Sequence, residues 1–306
     1  MTVTISFEDG EVGLDWLALT DALAEGHLRS RAEVADTFLY QGDNTLLNRS
    51  AWIEGLGIAV KCATIFPGNT GRGQPAIGGA VNLFSADDGV LEAILDFHLV
   101  TKWKTAGDSL LAARRLARPD SRDILIVGSG TVAHSLRAAY GAAFPDARFT
   151  VWSRSRQSAK VFHKAHPDVT IADDLETAVR AADIITCATM ATDPVIKGAW
   201  LRPGQHLDLI GAYRPDMREA DDAALQSGTL FVDSRDTTID HIGELKIPIA
   251  AGVITPDAVR ADFYQPDVFR RTDDKDITVF KNGGGAHLDL MTCRYILRAW
   301  RARRTK

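Results

Sequence analysis

Residues 123–133, Asp-Ile-Leu-Ile-Val-Gly-Ser-Gly-Thr-Val-Ala, constrain this chain more than any other stretch. Ile124 to Val127 form a short apolar run rich in β-branched residues, the composition of a strand buried on both faces. Gly128 and Gly130 follow at once, and Val132, Leu136, Ala139 and Tyr140 then recur at helical spacing. Strand, glycine turn and helix in that order are the context in which G-x-G-x-x-A binds a dinucleotide. In that reading Gly128 permits the tight turn, Gly130 lets a pyrophosphate reach the backbone, and Ala133 lets helix and strand pack closely. Ser129, Thr131 and Val132 complete the loop at a helix start whose free N–H groups and dipole attract an anion. The motif alone also fits an ordinary strand-to-helix turn.

Flanking segments support the dinucleotide reading. Strands are expected at Phe149 to Trp152, 169–171, 184–188, 205–210 and 230–232, with helices near 131–143, 155–165 and 174–181. This alternation predicts an α/β fold, a Rossmann-type doubly wound parallel sheet. Upstream the character differs. A short first strand and helical residues to about 35 precede strands at Phe38 to Tyr40, Thr45 to Leu47, Gly57 to Thr64 and Ala80 to Phe84. Residues 91–95 continue them after the Asp87-Asp88-Gly89 turn. Successive strands without helices imply an antiparallel sheet in a second, α+β layer. A helix over 98–117 links the two, and a last helix near 286–301 packs back on the first. The predicted domains are therefore 1–117 with 286–306, for substrate, and 118–285, for the cofactor.

With 306 residues, a net charge of −5 and no block of like charge, nothing points to nucleic acid or a membrane surface. The basic end from Arg301 to Lys306 reads as a solvated helix terminus. No stretch has the apolar length of a membrane span, and the first residues lack the plan of a signal peptide. Cys62, Cys187 and Cys293 are scattered, which argues against a disulfide framework or structural zinc. His98, His206 and His287 show no metal-ligand spacing, so no metal is expected. A reduced, cytoplasmic enzyme is the expectation.

The end of the second parallel strand bears on the nicotinamide cofactor. An Asp or Glu there holds the ribose hydroxyls of NAD, whereas this strand ends Trp152-Ser153-Arg154-Ser155-Arg156. Arg154 suits a 2′-phosphate and Ser153 can hydrogen-bond it, which favours NADP(H) over NAD(H) while leaving NAD(H) possible. A solvated basic loop is the plainer alternative. Thr189 follows the strand 184–188 toward the crevice and is a further cofactor candidate. Cys187 reads as a small core residue, because no basic cluster flanks it. The run Gly283-Gly284-Gly285 permits close backbone approach at Gly284, or is simply a turn. Asp289, on the last helix, is placed against cofactor or substrate.

Three stretches together carry a resemblance: Val60-Lys61-Cys-Ala-Thr-Ile-Phe66-Pro67-Gly68-Asn69, Lys102-Trp103-Lys104-Thr105-Ala106, and the Gly128 turn. With Gly211-Ala-Tyr-Arg-Pro215-Asp216-Met-Arg218-Glu219 they make the chain similar, over nearly its full length, to the ornithine cyclodeaminase/mu-crystallin family. The resemblance implies a homodimer joined through the antiparallel sheets, an inserted nucleotide domain, and an active site in the cleft. Family members include cyclodeaminases, alanine dehydrogenases and reductases of cyclic imines. Two departures matter. Tyr213 stands where the cyclodeaminases carry an acid/base Asp, and a phenol stays protonated at neutral pH. Lys104 stands where the family has Arg, so it pairs with a carboxylate as a point charge rather than a fork.

Reducing a cyclic 2-imino acid needs a cation for its carboxylate and a proton for its nitrogen. Lys61, in the apolar setting Gly57-Ile-Ala-Val-Lys61, is suited to either task, and an outward-facing lysine is the alternative. Arg49 is the candidate carboxylate clamp, or a rim arginine. Lys104 is a substrate or cofactor contact, with the Thr105 hydroxyl near the phosphate or nicotinamide. The expected function is NADPH-dependent reduction of a cyclic ketimine, Δ1-pyrroline-2-carboxylate going to L-proline. The alternatives are an NAD-dependent ornithine cyclodeaminase, an alanine-type dehydrogenase, or a low-turnover NADP-binding protein.

Overall fold

In the computed structural model, which describes residues 2–305, the alternating segments between residues 33 and 96 form one sheet. The first unit comprises Met1–Lys104 and Gly285–Lys306. Its elements are β1 (Val3–Ile5), α1 (Phe7–Glu11), α2 (Trp16–Gly26), β2 (Glu33–Gln41), β3 (Asn44–Ile53), β4 (Gly57–Ile65), β5 (Ile77–Phe84) and β6 (Leu91–Asp96). The sheet runs β1-β6-β5-β4-β3-β2, antiparallel except that β1 lies parallel to β6. On β4 the period of two is explicit: Gly57, Ala59, Lys61 and Ala63 are buried while their neighbours are not. Pairing of Arg49 with Lys61, and of Lys61 with Val81, puts both cations on one face.

That face is covered by the C-terminal helix (Ala286–Arg304), and α2 packs against that helix. The two helices approach closely because Gly26 has no side chain: a Cβ there would stand 2.6 Å from the sulfur of Met291. Arg294 locks the C-terminal helix to the sheet through Glu92 and the Phe84 carbonyl. Strand β2 starts at Glu33, earlier than the Phe38 expected, and is exposed along its whole length. An edge strand without a buried face shows no hydrophobic alternation, which is why its start was not legible.

Helix α3 (Phe97–Leu116) leads out of this unit, and the second comprises Thr105–Gly284. It contains β7 (Asp123–Val127), α4 (Thr131–Ala143), β8 (Arg148–Trp152), α5 (Arg156–Ala165), β9 (Thr170–Ile171), α6 (Leu175–Ala181), β10 (Ile184–Cys187) and β11 (His206–Leu209). Then come α7 (Asp222–Ser227), β12 (Thr229–Val232), α8 (Arg235–Thr238), α9 (Gly243–Ala250), β13 (Val259–Ala261) and β14 (Thr278–Lys281). All strands are parallel, in the order β13-β12-β14-β11-β10-β7-β8-β9. The doubly wound sheet is as expected. Strands β13 and β14 are additions to the expected sheet; at three and four residues, each is too short to show a sequence pattern. Among the described residues no helix is long and apolar enough to cross a membrane.

Polar groups inside this unit are paired with care. Asp208 accepts from Thr186 (2.7 Å), Ser109 (2.9 Å) and Tyr140 (3.0 Å), and burial pushes its carboxyl up to about 6. His206 is fully buried, with Nδ1 2.9 Å from the Thr278 hydroxyl, which itself donates to the Leu116 carbonyl. Nδ1 therefore carries the proton, and Nε2 has no hydrogen-bond partner. Burial, with help from the Arg271 charge, pushes His206 down to about 3. Above pH 6.5 the ring is neutral in both folded and unfolded states, so it adds no pH dependence. Below that, only the unfolded chain takes up the proton, and folding loses up to about 1.4 kcal/mol per pH unit. Relative to a His206→Gln variant, the parent is thus expected to lose at least about 1 kcal/mol between pH 7.5 and 5. Urea unfolding of both proteins at the two pH values checks this; a constant gap contradicts it.

Candidate active site

The carboxyl ends of β7 and β10 mark where the chain order reverses, because the connections from β7 run toward β9 and then return to β10 on the other side. Doubly wound sheets bind ligands at such a point. Gly128 has a φ of 111°, and a Cβ on it would stand 2.5 Å from the Ala188 carbonyl oxygen, so glycine is required. Gly130 caps α4 without a side-chain hydrogen bond, and a Cβ added to it would meet nothing within 4 Å. The backbone at the start of α4 is therefore open to a large anion, while Ala133 is fully buried one turn on. Thr131 is exposed and Val132 half-buried. These residues fit a dinucleotide pyrophosphate.

Beside the turn, the Ser129 hydroxyl donates to Ser153 Oγ at 3.1 Å, joining the glycine loop to the end of β8. Arg154 follows, exposed, and no carboxylate ends the strand. Thr189 lies just past β10, where its N–H and hydroxyl both donate to Glu219 at 2.7 and 2.8 Å. Asn282 donates to the Thr105 carbonyl (3.1 Å) and to Ser109 (3.0 Å), which brings the start of α3's portion in this unit to the end of β14. Gly284, with φ 65°, comes two residues further.

In the first unit, a separate cluster gathers on the buried face of the sheet. Lys61, 6% exposed, donates to Asp289 Oδ1 at 3.0 Å and to the Thr101 hydroxyl at 2.9 Å, with its ammonium 4.7 Å from the centre of the Phe97 ring. Asp289 is 1% exposed, and its Oδ2 has no hydrogen-bond partner. Burial alone would raise its carboxyl, but the charges of Lys61, Lys104 and Arg49 outweigh this and hold it below the ordinary range. Arg49 is gripped by Asp36 on β2, with three contacts between 2.9 and 3.1 Å. Lys104 is as buried as Lys61. His287, fully buried with its ring edge-on to His27, is pushed down to about 3 by burial and by the Lys104 charge, so its imidazole is neutral. Lys61, Lys104 and Asp289 thus share one niche, in which both lysine charges act on the Asp289 carboxylate. Among the described residues no group of three or more metal-ligating side chains occurs.

Sequence reasoning had Lys61, Lys104 and Asp289 as separate candidates; their convergence is tertiary. It missed Thr101, His287 and Glu219. Only Glu219 carried a signal, as the last residue of the Gly211–Glu219 motif.

The chain matches the ornithine cyclodeaminase/mu-crystallin family over residues 37–304. It is 51% identical over 302 residues to a Δ1-pyrroline-2-carboxylate reductase of Paracoccus denitrificans, covering 96% of each chain. It is 30% identical over 244 residues to the ketimine reductase mu-crystallin of Rattus norvegicus, covering 79% of this chain and 76% of that one. Its fold is that of the Thermococcus litoralis Δ1-pyrroline-2-carboxylate reductase solved in complex with NADH and L-proline, with a TM-score of 0.89, 24% identity and 98% of each chain covered.

Proposed function

This chain belongs to the ornithine cyclodeaminase/mu-crystallin family, and from that membership we propose that it reduces a cyclic ketimine with NADPH, Δ1-pyrroline-2-carboxylate going to L-proline. The observation that carries the reading is the buried Lys61–Asp289 pair beside Lys104, in a relative of a named pyrroline-carboxylate reductase. Gly128, Ser129, Gly130, Thr131, Val132 and Ala133 would hold the pyrophosphate, with Thr105, Thr189 and Gly284 toward the nicotinamide. When bound, the reduced nicotinamide supplies the hydride that the imine carbon accepts.

The protein supplies the rest. A lysine ammonium has three N–H donors, and two of those on Lys61 are spent on Asp289 and Thr101. The third is left for the imine nitrogen, which must gain a proton as the C=N bond becomes CH–NH. Asp289 stays ionised and holds that ammonium in place. Lys104 would contact the substrate carboxylate, and the charge of Arg49, which is held by Asp36, adds to the field around it. Tyr213, 57% exposed, offers no carboxylate base for ammonia loss, which disfavours cyclodeaminase chemistry. A panel of cyclic imines with NADPH tests the reading, and inactivity on all of them overturns it.

The NADPH preference rests on Arg154 and Ser153 at the carboxylate-free end of β8. Arg154→Ala is expected to weaken NADPH binding about 10- to 100-fold, the worth of a charge-assisted phosphate contact, and to leave NADH binding unchanged. Equal losses for both cofactors would remove Arg154 from the 2′-phosphate site. The reading also includes a homodimer formed through the sheet of the first unit. Exposed Val34, Phe38, Leu39 and Tyr40 on β2, and Trp52 on β3, support it, since so much apolar surface on one sheet calls for cover.

A further inference from the structure

Glu219 is fully buried, yet it is no part of the chemistry described above. Its Oε1 accepts both the N–H and the hydroxyl of Thr189, at 2.7 and 2.8 Å. Its Oε2 accepts the amides of Gly211 and Ala212, at 2.6 and 3.3 Å. One carboxylate therefore binds the loop after β10 to the loop after β11, each at the carboxyl edge where a doubly wound sheet meets its ligand. The two loops touch backbone to backbone: a Cβ on Gly211 would stand 2.0 Å from the Thr189 carbonyl oxygen.

Glu219 is itself held. Its own N–H and that of Ala220 donate to the Glu244 carboxylate at 2.7 and 3.0 Å. Burial pushes both carboxyls up, Glu244 to about 7, and the charge of the Lys281 ammonium, 1% exposed, works against that rise. Above this arrangement the loops present Met190 and Tyr213, 67% and 57% exposed.

The hydroxyl of Thr189 has a single proton, and it is spent on Glu219. The half-buried Thr189 hydroxyl therefore keeps only acceptor capacity for a further partner. Of the groups on a nicotinamide ring, the carboxamide N–H is the one that such an oxygen recognises.

We propose that Glu219 is a positioning residue that fixes Thr189 as an acceptor-only hydroxyl for the carboxamide N–H of the nicotinamide. This rests on the dinucleotide-binding reading above. The experiment uses the full chain and equilibrium binding of NADP+ and of its 3-acetylpyridine analogue, whose methyl ketone has no N–H. The parent is expected to bind NADP+ about 10-fold more tightly than the analogue. Glu219→Gln keeps the size but turns an N–H group toward backbone amides or toward Thr189. It is expected to erase that preference and, in the cofactor-free protein, to speed hydrogen exchange at the amides of Thr189, Gly211 and Ala212. Faster exchange with the preference intact would overturn the proposal, making Glu219 a purely structural tie.

Should Glu219→Gln fail to fold, Thr189→Val and Thr189→Ser decide. Valine is expected to lose the preference and serine to retain it, and the reverse or no difference overturns the assignment. A parent that binds neither NADP+ nor NAD+ would defeat the cofactor reading itself, an outcome distinct from a parent that binds but does not discriminate.

Discussion

Lys61→Met is expected to lower kcat for the cyclic imine by at least about 100-fold, the contribution of a placed proton donor, with NADPH binding unchanged. The same substitution strips the buried Asp289 carboxylate of its ion-pair partner, and that has its own cost. Breaking a buried pair from one side costs about 3–5 kcal/mol, somewhat less here because the Lys104 and Arg49 charges also act on Asp289. Activity loss and destabilisation must therefore be separated. The double variant Lys61→Met with Asp289→Asn removes both charges together, so it is expected to recover most of the stability and none of the activity. Steady-state kinetics beside urea unfolding of the three proteins makes the test. A double variant that recovers its rate along with its stability would make the pair a structural feature and take Lys61 out of the reaction.

Gly128→Ala is the second substitution with a large expected effect. The left-handed backbone at φ 111° costs an L-residue about 1–3 kcal/mol, and the added Cβ would sit 2.5 Å from the Ala188 carbonyl oxygen. Ala188 leads directly into Thr189, so relief of the clash shifts both the glycine loop and the loop after β10. Affinity for the dinucleotide is expected to fall at least about 10-fold, with a lower unfolding midpoint. Gly130→Ala is the control. Its φ of −83° suits any residue, and its Cβ would meet no protein atom within 4 Å, so stability is expected to hold while pyrophosphate binding falls. Calorimetric titration of both variants reads the difference. Equal affinity in the parent and both variants would mean that the turn is only a turn.

The parallel sheet was legible because strands such as β7 and β10 are almost wholly apolar and a glycine falls where the turn geometry demands one. Gly128 is the clearest case, since its requirement is local to the strand-to-helix turn. Strand β14 was not legible. Thr278–Lys281 is short, carries a lysine, and sits centrally only because β11 and β12 leave room for it. Lys281 is accommodated there by donating to the Leu209 carbonyl at 2.9 Å, a tertiary fact without a sequence pattern.

At the site, Lys61 stood out as a charge in an apolar strand. Its partner, Asp289, lies 228 residues further along, and no periodicity joins them. The Asp289 carboxylate, which the sequence assigns to cofactor or substrate, accepts a hydrogen bond from Lys61. Glu219 and His287 are charged or polar residues whose importance comes from complete burial, which composition does not reveal. Sequence reading thus finds chemistry carried by local geometry and misses chemistry assembled by packing.

The proposed reaction brings a phosphorylated nicotinamide cofactor and a cationic niche to bear on a small cyclic imino acid. Product analysis of the purified protein with NADPH and Δ1-pyrroline-2-carboxylate tests it most directly. Stoichiometric NADPH oxidation and L-proline are expected, lowered at least about 100-fold in Lys61→Met and not replaced by proline formation from ornithine alone. Proline and ammonia from ornithine without added reductant, or no turnover of the imine by a protein that binds NADPH, would contradict it.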